Sequence, residues 1–433
     1  MKKNGFTLVE ITVCVVLLVT IFLIVVPKVN TMINNKKKNA YNSLISAVKD
    51  AAQAYVYLNV NIVDDAIESQ GYYEVSIRTL QENELLENKL ENPLTGKNIP
   101  STSIVKIIKN NEEYIYKFSL DYQYLLEHII DLYSSEETRT SNGLKKDNTE
   151  DKNIRYYGSD PNNYVSFNNE LWRIIGVFGN NVKLVRSEKL GNLSWDSSES
   201  SVNNGFGVNE WSQADLKNYL NTMYYGGTSV TCYGGRNNST TTCPTNRLDD
   251  ASKTLIDNHT WNTGAPNYNE LYDSTTKTLD TVEFYKAERG TTNGKICSSG
   301  NNCNDTVTRT TKWTGYVALP YATDYAYASS ESDCETNMNA GDIDFDNGIF
   351  NMTCKKNNWM HHGTTMDATW YLSPGASSSY ASYAWRVDGV GYSFYNDAAD
   401  ALSAFPTIYL KSNVLIESGA GTSSNPYILK AGS

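Results

Sequence analysis

The chain has 433 residues, which is too long for one compact core and indicates two or three domains. It is acidic, with 48 Asp and Glu against 37 Lys and Arg and a formal net charge of −11. A surface this negative repels phosphate backbones and argues against nucleic acid as a partner. The absence of HExxH, GxxxxGKS/T, GxGxxG and GxSxG signatures predicts that the protein is not an enzyme.

The N-terminal segment is a lysine-bearing leader followed by a long apolar run. Residues 6–26 carry a single charge, that of Glu10, and a helix of this length spans about 30 Å, the thickness of the hydrocarbon core of a membrane. A secretory signal peptide would need a small-x-small cleavage site after the run, and Val26-Pro27-Lys28-Val29 provides none. The segment therefore predicts a transmembrane helix that stays on the protein.

Glu10 is the unusual residue of this run. A carboxylate at membrane depth costs on the order of 3 kcal/mol, so it needs a partner there. Cleavage between Gly5 and Phe6 would create an amine at Phe6, one helical turn from Glu10 and within reach of a neighbouring copy. The two groups could then form one desolvated pair that specifies the register between copies.

The residues Gly5-Phe6-Thr7-Leu8-Val9-Glu10, ahead of an apolar helix, resemble the processing site of type IV prepilins and pseudopilins. The resemblance implies cleavage after Gly5 by a membrane aspartic peptidase, N-methylation of Phe6, and filament assembly guided by Glu10. Pro27 matches the position at which helices of this family loosen. The implied partners are other copies of the chain or other pilins, the prepilin peptidase, the pilus assembly machinery and the membrane. An ordinary signal anchor is the alternative.

The helical pattern continues past the apolar run to about residue 58. Its stripe consists of Tyr41, Leu44, Ile45, Val48, Ala52 and Tyr55. Residues 70–118 are expected to add a small sheet, with a short helix capped by Ser76 and strands near 103–109 and 113–120. Residues 120–133 have helical spacing. We therefore divide the first part into a leader, 1–5, and a pilin-like domain, 6–133.

Residues 134–153 hold one aliphatic side chain, Leu144, and predict a flexible linker. Beyond it, residues 154–433 are expected to form an extracellular α+β domain with a modest sheet and long loops. Its strand-like runs are Tyr164–Phe167, Leu171–Val177, Val182–Val185, Pro406–Leu410 and Tyr427–Leu429. Residues 211–221 predict a short helix capped by Ser212.

The strand segment 172–176, the helix 211–221 and the segment 408–410 resemble an uncharacterised domain of bacterial surface proteins. That domain is similar to C-type-lectin-like and formylglycine-generating-enzyme-like folds. The predicted fold class is therefore α+β. A long N-terminal transmembrane or filament helix would pack on a small antiparallel sheet, as in pilins. A loop-rich, disulfide-linked α+β domain would follow.

Six cysteines lie in the C-terminal domain and a seventh, Cys14, lies in the apolar run. Six cysteines allow 15 pairings, and the sequence does not choose among them. Their clustering makes three neighbouring pairs the simplest prediction: Cys232–Cys243, Cys297–Cys303 and Cys334–Cys354. Zinc is the alternative, but neither CxxC nor His-x3–5-His spacing occurs. Disulfides are typical of a domain displayed outside the cell.

Asp342, Asp344 and Asp346 alternate in the way that calcium loops do. The EF-hand form would need Gly one place before Gly348 and Glu in place of Thr353, so a polar turn between strands is the alternative. Calcium is the one cofactor that the sequence suggests.

Two aromatic segments, 359–362 and 370–374, allow three interpretations. In a lectin, exposed Trp359 and Trp370 would stack on sugar faces, and in an enzyme His361 or His362 would act as a base. The third interpretation is aromatic rings that fill a loop-rich core, with the histidines at the surface.

Together these patterns predict a type IV pilus or pseudopilus subunit. It would sit in the cell membrane with its N-terminus inside before assembly, and at the cell surface afterwards. Its C-terminal domain would serve adhesion, with a surface carbohydrate or protein as ligand. The alternatives are a membrane-tethered extracellular enzyme and a pseudopilin of a secretion or DNA-uptake system.

Overall fold

The structure is a computed structural model that describes residues 36, 40–41, 43–93, 97–110, 113–118, 124–198, 205–291, 307, 309–344, 347, 349–362, 368–377 and 380–431. The chain divides into two compact units, Met1–Gln123 and Tyr124–Ser433. The predicted leader, the processing residues Gly5 and Phe6 and the assembly residues Glu10 and Pro27 lie outside the described residues.

The fold class predicted from the sequence is wrong. The structure is mostly β-sheet, with 34% strand and 29% helix, and among the residues that it describes no long apolar helix packs on a sheet in the manner predicted. The finding against the predicted transmembrane helix is that no helix in the described part of the chain is long and apolar enough to cross a membrane. The segment 6–26 itself is not among the described residues. The prediction gave most weight to the helical periodicity of the N-terminal part. It underestimated the strand content because many strands are short and pair with segments that lie far away in the sequence.

The first unit contains three helices and five strands in its described part. They are α1 (residues 43–58), α2 (Val60–Gln70), β1 (Tyr73–Ser76), α3 (Ile77–Glu82), β2 (Glu91–Asn92), β3 (Lys97–Asn98), β4 (Ile104–Asn110) and β5 (Glu113–Phe118). Strands β1, β4 and β5 form an antiparallel sheet in that order. One hydrophobic cluster contains Val48 and Ala52 together with Val105 and Ile107. Ser76 caps α3, as predicted, by accepting a hydrogen bond from the Thr79 amide at 3.0 Å.

The second unit is built from many short strands and short helices. Its first strands are β6 (Leu144–Lys146), β7 (Ile154–Tyr156), β8 (Tyr164–Phe167), β9 (Glu170–Phe178), β10 (Asn181–Arg186), β11 (Asn192–Ser194), β12 (Cys232–Tyr233), β13 (Thr240–Thr241), β14 (His259–Asn262), β15 (Tyr272–Asp273) and β16 (Thr278–Leu279). The later strands are β17 (Lys312–Gly315), β18 (Val317–Ala318), β19 (Gly341–Asp344), β20 (Ile349–Met352), β21 (Thr369–Ser377), β22 (Tyr380–Val387), β23 (Ser393–Asp397), β24 (Ala401–Ser403), β25 (Thr407–Leu410), β26 (Val414–Ser418) and β27 (Tyr427–Ala431). The α-helices are α4 (Leu125–Ser134), α5 (Glu136–Ser141), α6 (Asp215–Asn218), α7 (Asp250–Leu255), α8 (Tyr268–Leu271), α9 (Thr281–Glu288) and α10 (Ala322–Ala328).

Two sheets organise this unit within its described residues. The larger has nine strands, with β18, β25, β10, β9, β8, β27 and β26 in order and β6 and β7 attached beside β9. The smaller has the order β11, β24, β21, β22, β23, which leaves β23 at an edge.

Six tryptophans fill the core: Trp172, Trp195, Trp211, Trp261, Trp370 and Trp385. Large rings of this kind supply much of the apolar area that a loop-rich unit can bury.

Residues 134–153 are not a flexible linker. They contain α5 and β6, and β6 pairs with β7 at the edge of the nine-stranded sheet. Leu144 and Asp147 are both 2% exposed. The prediction took the polar composition as a sign of exposure, but the buried Asp147 carboxylate finds its hydrogen bonds within the segment. It accepts them from Thr149 Oγ1 at 2.6 Å and from Asn153 Nδ2 at 2.9 Å.

Residues 211–221 do not form one helix capped by Ser212. A 3-10 turn at Trp211–Gln213 is followed by α6 and then by a π-helix at Tyr219–Tyr225. Glu210 is the cap, because its carboxylate accepts a hydrogen bond from the Ser212 amide at 3.1 Å. A carboxylate fills the role that sequence statistics assign more often to serine.

Candidate binding surface

Five half-buried rings form a continuous series at the edge of the five-stranded sheet, and we call them the aromatic row. Its members, in spatial order, are Tyr272, Tyr268, Phe394, Tyr395 and Tyr383. Successive ring centroids lie 4.9, 5.0, 4.1 and 4.4 Å apart. Three of these contacts are stacked, and Tyr268 meets Phe394 edge to face. Each ring therefore supports the next at distances where aromatic pairs attract.

The row is positioned by four elements, of which β15 carries Tyr272. Tyr268 begins α8, Tyr383 lies on β22, and Phe394 and Tyr395 lie on the edge strand β23. Strand pairing sets Tyr395 opposite the buried Trp385. Trp385 packs edge to face on Phe284 at 4.5 Å, and its indole N–H donates to the Pro266 carbonyl at 3.3 Å. A fixed tryptophan under the row limits the freedom of the rings above it.

Polar groups flank the Tyr383 end of the row. Asp397 is the cross-strand partner of Tyr383, and its carboxylate pairs with Arg236 at 3.2 Å. The Arg236 guanidinium lies 3.5 Å from the centre of the Phe206 ring. Asn396 donates a hydrogen bond to Asp400. Burial, and then the neighbouring charge of Asp400, raise the pKa of Asp397, while burial raises that of Asp400.

The tyrosine hydroxyls of the row are neutral donors and acceptors. Burial, followed by a hydrogen bond with Tyr392, raises the pKa of Tyr268. Burial and the nearby Asp273 carboxylate raise the pKa of Tyr272. Because stacked rings cover one another, the surface combines ring edges, the outer faces of Tyr272 and Tyr383 at the two ends of the row, hydroxyls and carboxylates. It suits a ligand that has flat C–H faces and a rim of hydroxyl groups, and it disfavours anions.

Two of the three predicted disulfides are present. Cys232–Cys243 joins β12 to the segment after β13, and Cys334–Cys354 joins two 3-10 turns, Ser332–Glu335 and Thr353–Lys355. Both match the pairing of sequence neighbours. Cys297, Cys303 and Cys14 lie outside the described residues. The two observed bridges fix loops around the sheets.

The predicted calcium residues fall at a hairpin. Asp342 and Asp344 lie on β19, which pairs with β20 in an antiparallel register, while Asp346 lies outside the described residues. The structure contains no group of three or more metal-binding side chains among the residues that it describes. Calcium binding at Asp342, Asp344 and Asp346 stays a prediction.

The aromatic segments singled out in the sequence are interior. Trp359 is 5% exposed and Trp370 is fully buried, so neither can stack on a ligand at the surface. His362 stacks on Phe405 at 4.2 Å, and burial lowers its pKa to about 4. His361 lies 3.4 Å from the Tyr325 hydroxyl. Core packing is therefore the role of the two tryptophans, whereas the histidines are more buried than expected.

The sequence prediction missed the aromatic row. Its signal was the density of aromatic residues in 380–395, where Tyr380, Tyr383, Tyr392, Phe394 and Tyr395 alternate mainly with small residues. That density does not show which rings face outward. Tyr268 and Tyr272, which come from more than one hundred residues earlier, could not be assigned to the same surface without the fold.

No protein-family model, curated protein or solved structure matches the chain.

Proposed function

We propose that the protein is a surface-displayed subunit of the type IV pilus or pseudopilus class, and that its second unit binds saccharide through the aromatic row. The aromatic row is the observation that carries the binding part of this proposal. The prepilin-like residues Gly5–Glu10 support delivery to the surface through cleavage and assembly with other subunits. The disulfides fit an oxidising location outside the cytoplasm.

A neutral saccharide is the ligand class that this chemistry favours. A pyranose ring has a face of C–H groups that packs on an aromatic ring, and hydroxyls that hydrogen bond to tyrosine and carboxylate oxygens. Asp397 and Asp400 stand at one end of the row, and the chain carries a net charge of −11. Sulfated or carboxylated sugars would meet like charge there.

The length of the row favours a polymer over a single sugar. Tyr395 has a stacked neighbour on each side, so the row leaves the outer faces of Tyr272 and Tyr383, one at each end, as the positions at which sugars can stack. A chain of linked sugars can occupy them together, and each further position then adds affinity with little additional loss of freedom. A polysaccharide surface is therefore the proposed target of adhesion.

Retention of the intact chain on beads of cellulose, chitin and cellulose sulfate tests the proposal. We expect retention on cellulose or chitin and little on cellulose sulfate. Tyr383→Ala should weaken binding about tenfold, because this ring has a face that no other ring of the row covers and a stacked sugar contributes on the order of 1–2 kcal/mol. Tyr225→Ala is the matched control, since Tyr225 stacks on Tyr316 at 4.1 Å away from the row. Equal loss in both variants, preference for the sulfated beads, or no retention would each refute saccharide binding at this surface.

A further inference from the structure

A cluster of buried charges lies in the core of the second unit, away from the aromatic row. Lys183 comes from the central strand β10, Asp324 from α10, and Arg155 from β7. The side chains of Lys183 and Asp324 are 0% and 1% exposed, and those of Arg155 and Asp147 are 1% and 0% exposed. Charges buried this completely are rare and need an explanation.

The contacts within the cluster are asymmetric. Lys183 Nζ donates a hydrogen bond to Asp324 Oδ2, and the Tyr321 amide donates to the same oxygen at 2.9 Å. Arg155 Nη1 donates to the other oxygen, Asp324 Oδ1, at 2.6 Å. The Nε of Arg155 pairs with Asp147 Oδ2 at 2.9 Å. Since Asp147 already balances the charge of Arg155, Lys183 and Asp324 form a pair that is neutral by itself.

Aromatic rings surround the amine of Lys183. Its Nζ lies 4.0 Å from the centre of the Tyr321 ring and 5.3–5.6 Å from those of Phe178, Tyr409 and Trp261. Rings on several sides keep water away from the amine and the carboxylate. Exclusion of water favours neutral species over ions, and it also removes the solvent that would otherwise reverse a condensation.

We propose that Lys183 and Asp324 are joined by an amide bond between Nζ and Cγ. The inference is independent of the saccharide proposal, because it concerns the interior of the unit. Lys183 sits on a strand paired on both sides, and Asp324 sits on a fully buried helix. Rigid elements that hold an amine against a carboxyl group give a high effective concentration, which can replace chemical activation.

The reaction is balanced without a further reactant. A proton passes from the ammonium of Lys183 to Oδ2 of Asp324, and the amine lone pair then attacks Cγ, which forms the C–N bond. Negative charge develops on Oδ1, where the Arg155 guanidinium donates its hydrogen bond. The C–Oδ2 bond breaks, and Oδ2 leaves as water with a second proton from the nitrogen. An ammonium and a carboxylate thus become one amide and one water.

Burial acts on the two partners differently. It lowers the pKa of Lys183 to about 8, so part of the amine is neutral near pH 7. Burial also opposes ionisation of Asp324, but Lys183 and Arg155 together outweigh it and lower the pKa of that carboxyl group. The pair therefore rests mainly as an ammonium and a carboxylate, and the proton transfer between them is the step that the dry enclosure has to promote.

The mass of the wild-type chain tests the proposal without any variant. After reduction, denaturation and assignment of the N-terminus, we expect a mass lower by one water than the sequence requires. Proteolysis should release a branched peptide that contains both Lys183 and Asp324. A full mass, or separate linear peptides for the two residues, would overturn the inference.

Two comparisons sharpen the result. Asp324→Ala should restore the full mass and abolish the branched peptide. Lys145 and Glu335 form a second ion pair, at 2.8 Å, but their side chains are 16% and 27% exposed. This pair should remain unlinked in the same digest. A branched peptide at Lys145 and Glu335 would show that contact alone suffices, and it would contradict the role assigned to the dry aromatic enclosure.

Discussion

Glu288 shows how one side chain can make stability depend on pH. It ends α9, is fully buried, and accepts hydrogen bonds from the Thr323 amide at 3.3 Å and from Thr323 Oγ1. Burial raises its pKa from 4.5 to about 7, although the guanidinium of Arg289 opposes the shift. The folded protein therefore holds this proton more tightly than the unfolded chain does.

We expect the free energy of unfolding to fall as the pH rises from about 4.5 to about 7. The contribution of the protonated Glu288 is fully present below the unfolded pKa and is lost as the pH passes the folded pKa, a change on the order of 2–3 kcal/mol. Glu288→Gln should remove this part of the dependence. Chemical denaturation of both proteins at pH 5, 6 and 7.5 measures the difference, and parallel stability curves would contradict the assignment.

Local roles of single residues could be predicted, and distant pairings could not. Ser76 was identified as a cap because the amide that it binds, that of Thr79, is three residues away. Lys183 and Asp324 are 141 positions apart, and nothing in the sequence around either residue points to the other. More than one hundred positions likewise separate Tyr268 and Tyr272 from the rings of β22 and β23, which is why the aromatic row was missed.

At the scale of elements, β9 is the strand on which the large sheet depends. It pairs with β8, with β10 and with β7, and Gly176 is the register partner of both Lys183 and Arg155. A Cβ on Gly176 would lie 2.1 Å from the Ile154 carbonyl oxygen. The glycine is therefore needed for β7 to approach closely enough to deliver Arg155 to the buried charges.

Gly176→Ala should destabilise the second unit by about 1–3 kcal/mol, because the added methyl group meets backbone that cannot move independently of the sheet. Gly191→Ala is the matched control. A Cβ there would meet only Pro244 Cγ, at 3.3 Å, and a ring atom can shift by a few tenths of an ångström. Urea denaturation compares the two variants. Equal stability would show that β7 has more freedom than the contact implies.

Strands were predicted better than helices because short apolar runs mark them in the sequence, as in the nearly continuously buried β9 and β10. Residues 164–167 form β8 with the predicted bounds, and β9 and β10 extend the predicted runs by one or two residues. The predicted helix at 211–221 divides into three helical types because Ala214, with ψ of 140°, interrupts it. The segment 134–153 was taken for a linker because its burial depends on hydrogen bonds and a sheet partner, and neither leaves an apolar pattern.

At the scale of the whole molecule, the proposed delivery to the surface depends on the N-terminal residues. We expect the mature chain from the cell surface to lack residues 1–5 and to begin with singly methylated Phe6. N-terminal sequencing and mass spectrometry check this. Glu10→Val should be processed in the same way yet fail to join filaments, since the carboxylate is the expected partner of the new amine. A mature chain that still begins with Met1 would exclude the prepilin-type route.

The relative amounts of strand and helix were the least predictable feature of the molecule. The second unit derives its β character from β21 and β22, from parallel pairing of β27 with β8, and from two-residue strands such as β18. Residues 374 and 375, Pro and Gly, lie inside β21, where composition alone argues against a strand. Large sheets assembled from such segments are visible only once distant residues are brought together.

The place where the chain enters the second unit has a mechanical consequence. Tyr124 forms a bridge with Leu415 on β26, and β26 pairs with the last strand, β27, which runs parallel to β8. A pulling force applied at residue 124 would therefore act first on the β26 edge of the nine-stranded sheet, where strands open one bond at a time. Strand β18, at the opposite edge of the sheet, is the farthest from that load, and β10 is separated from it by β27, β8 and β9.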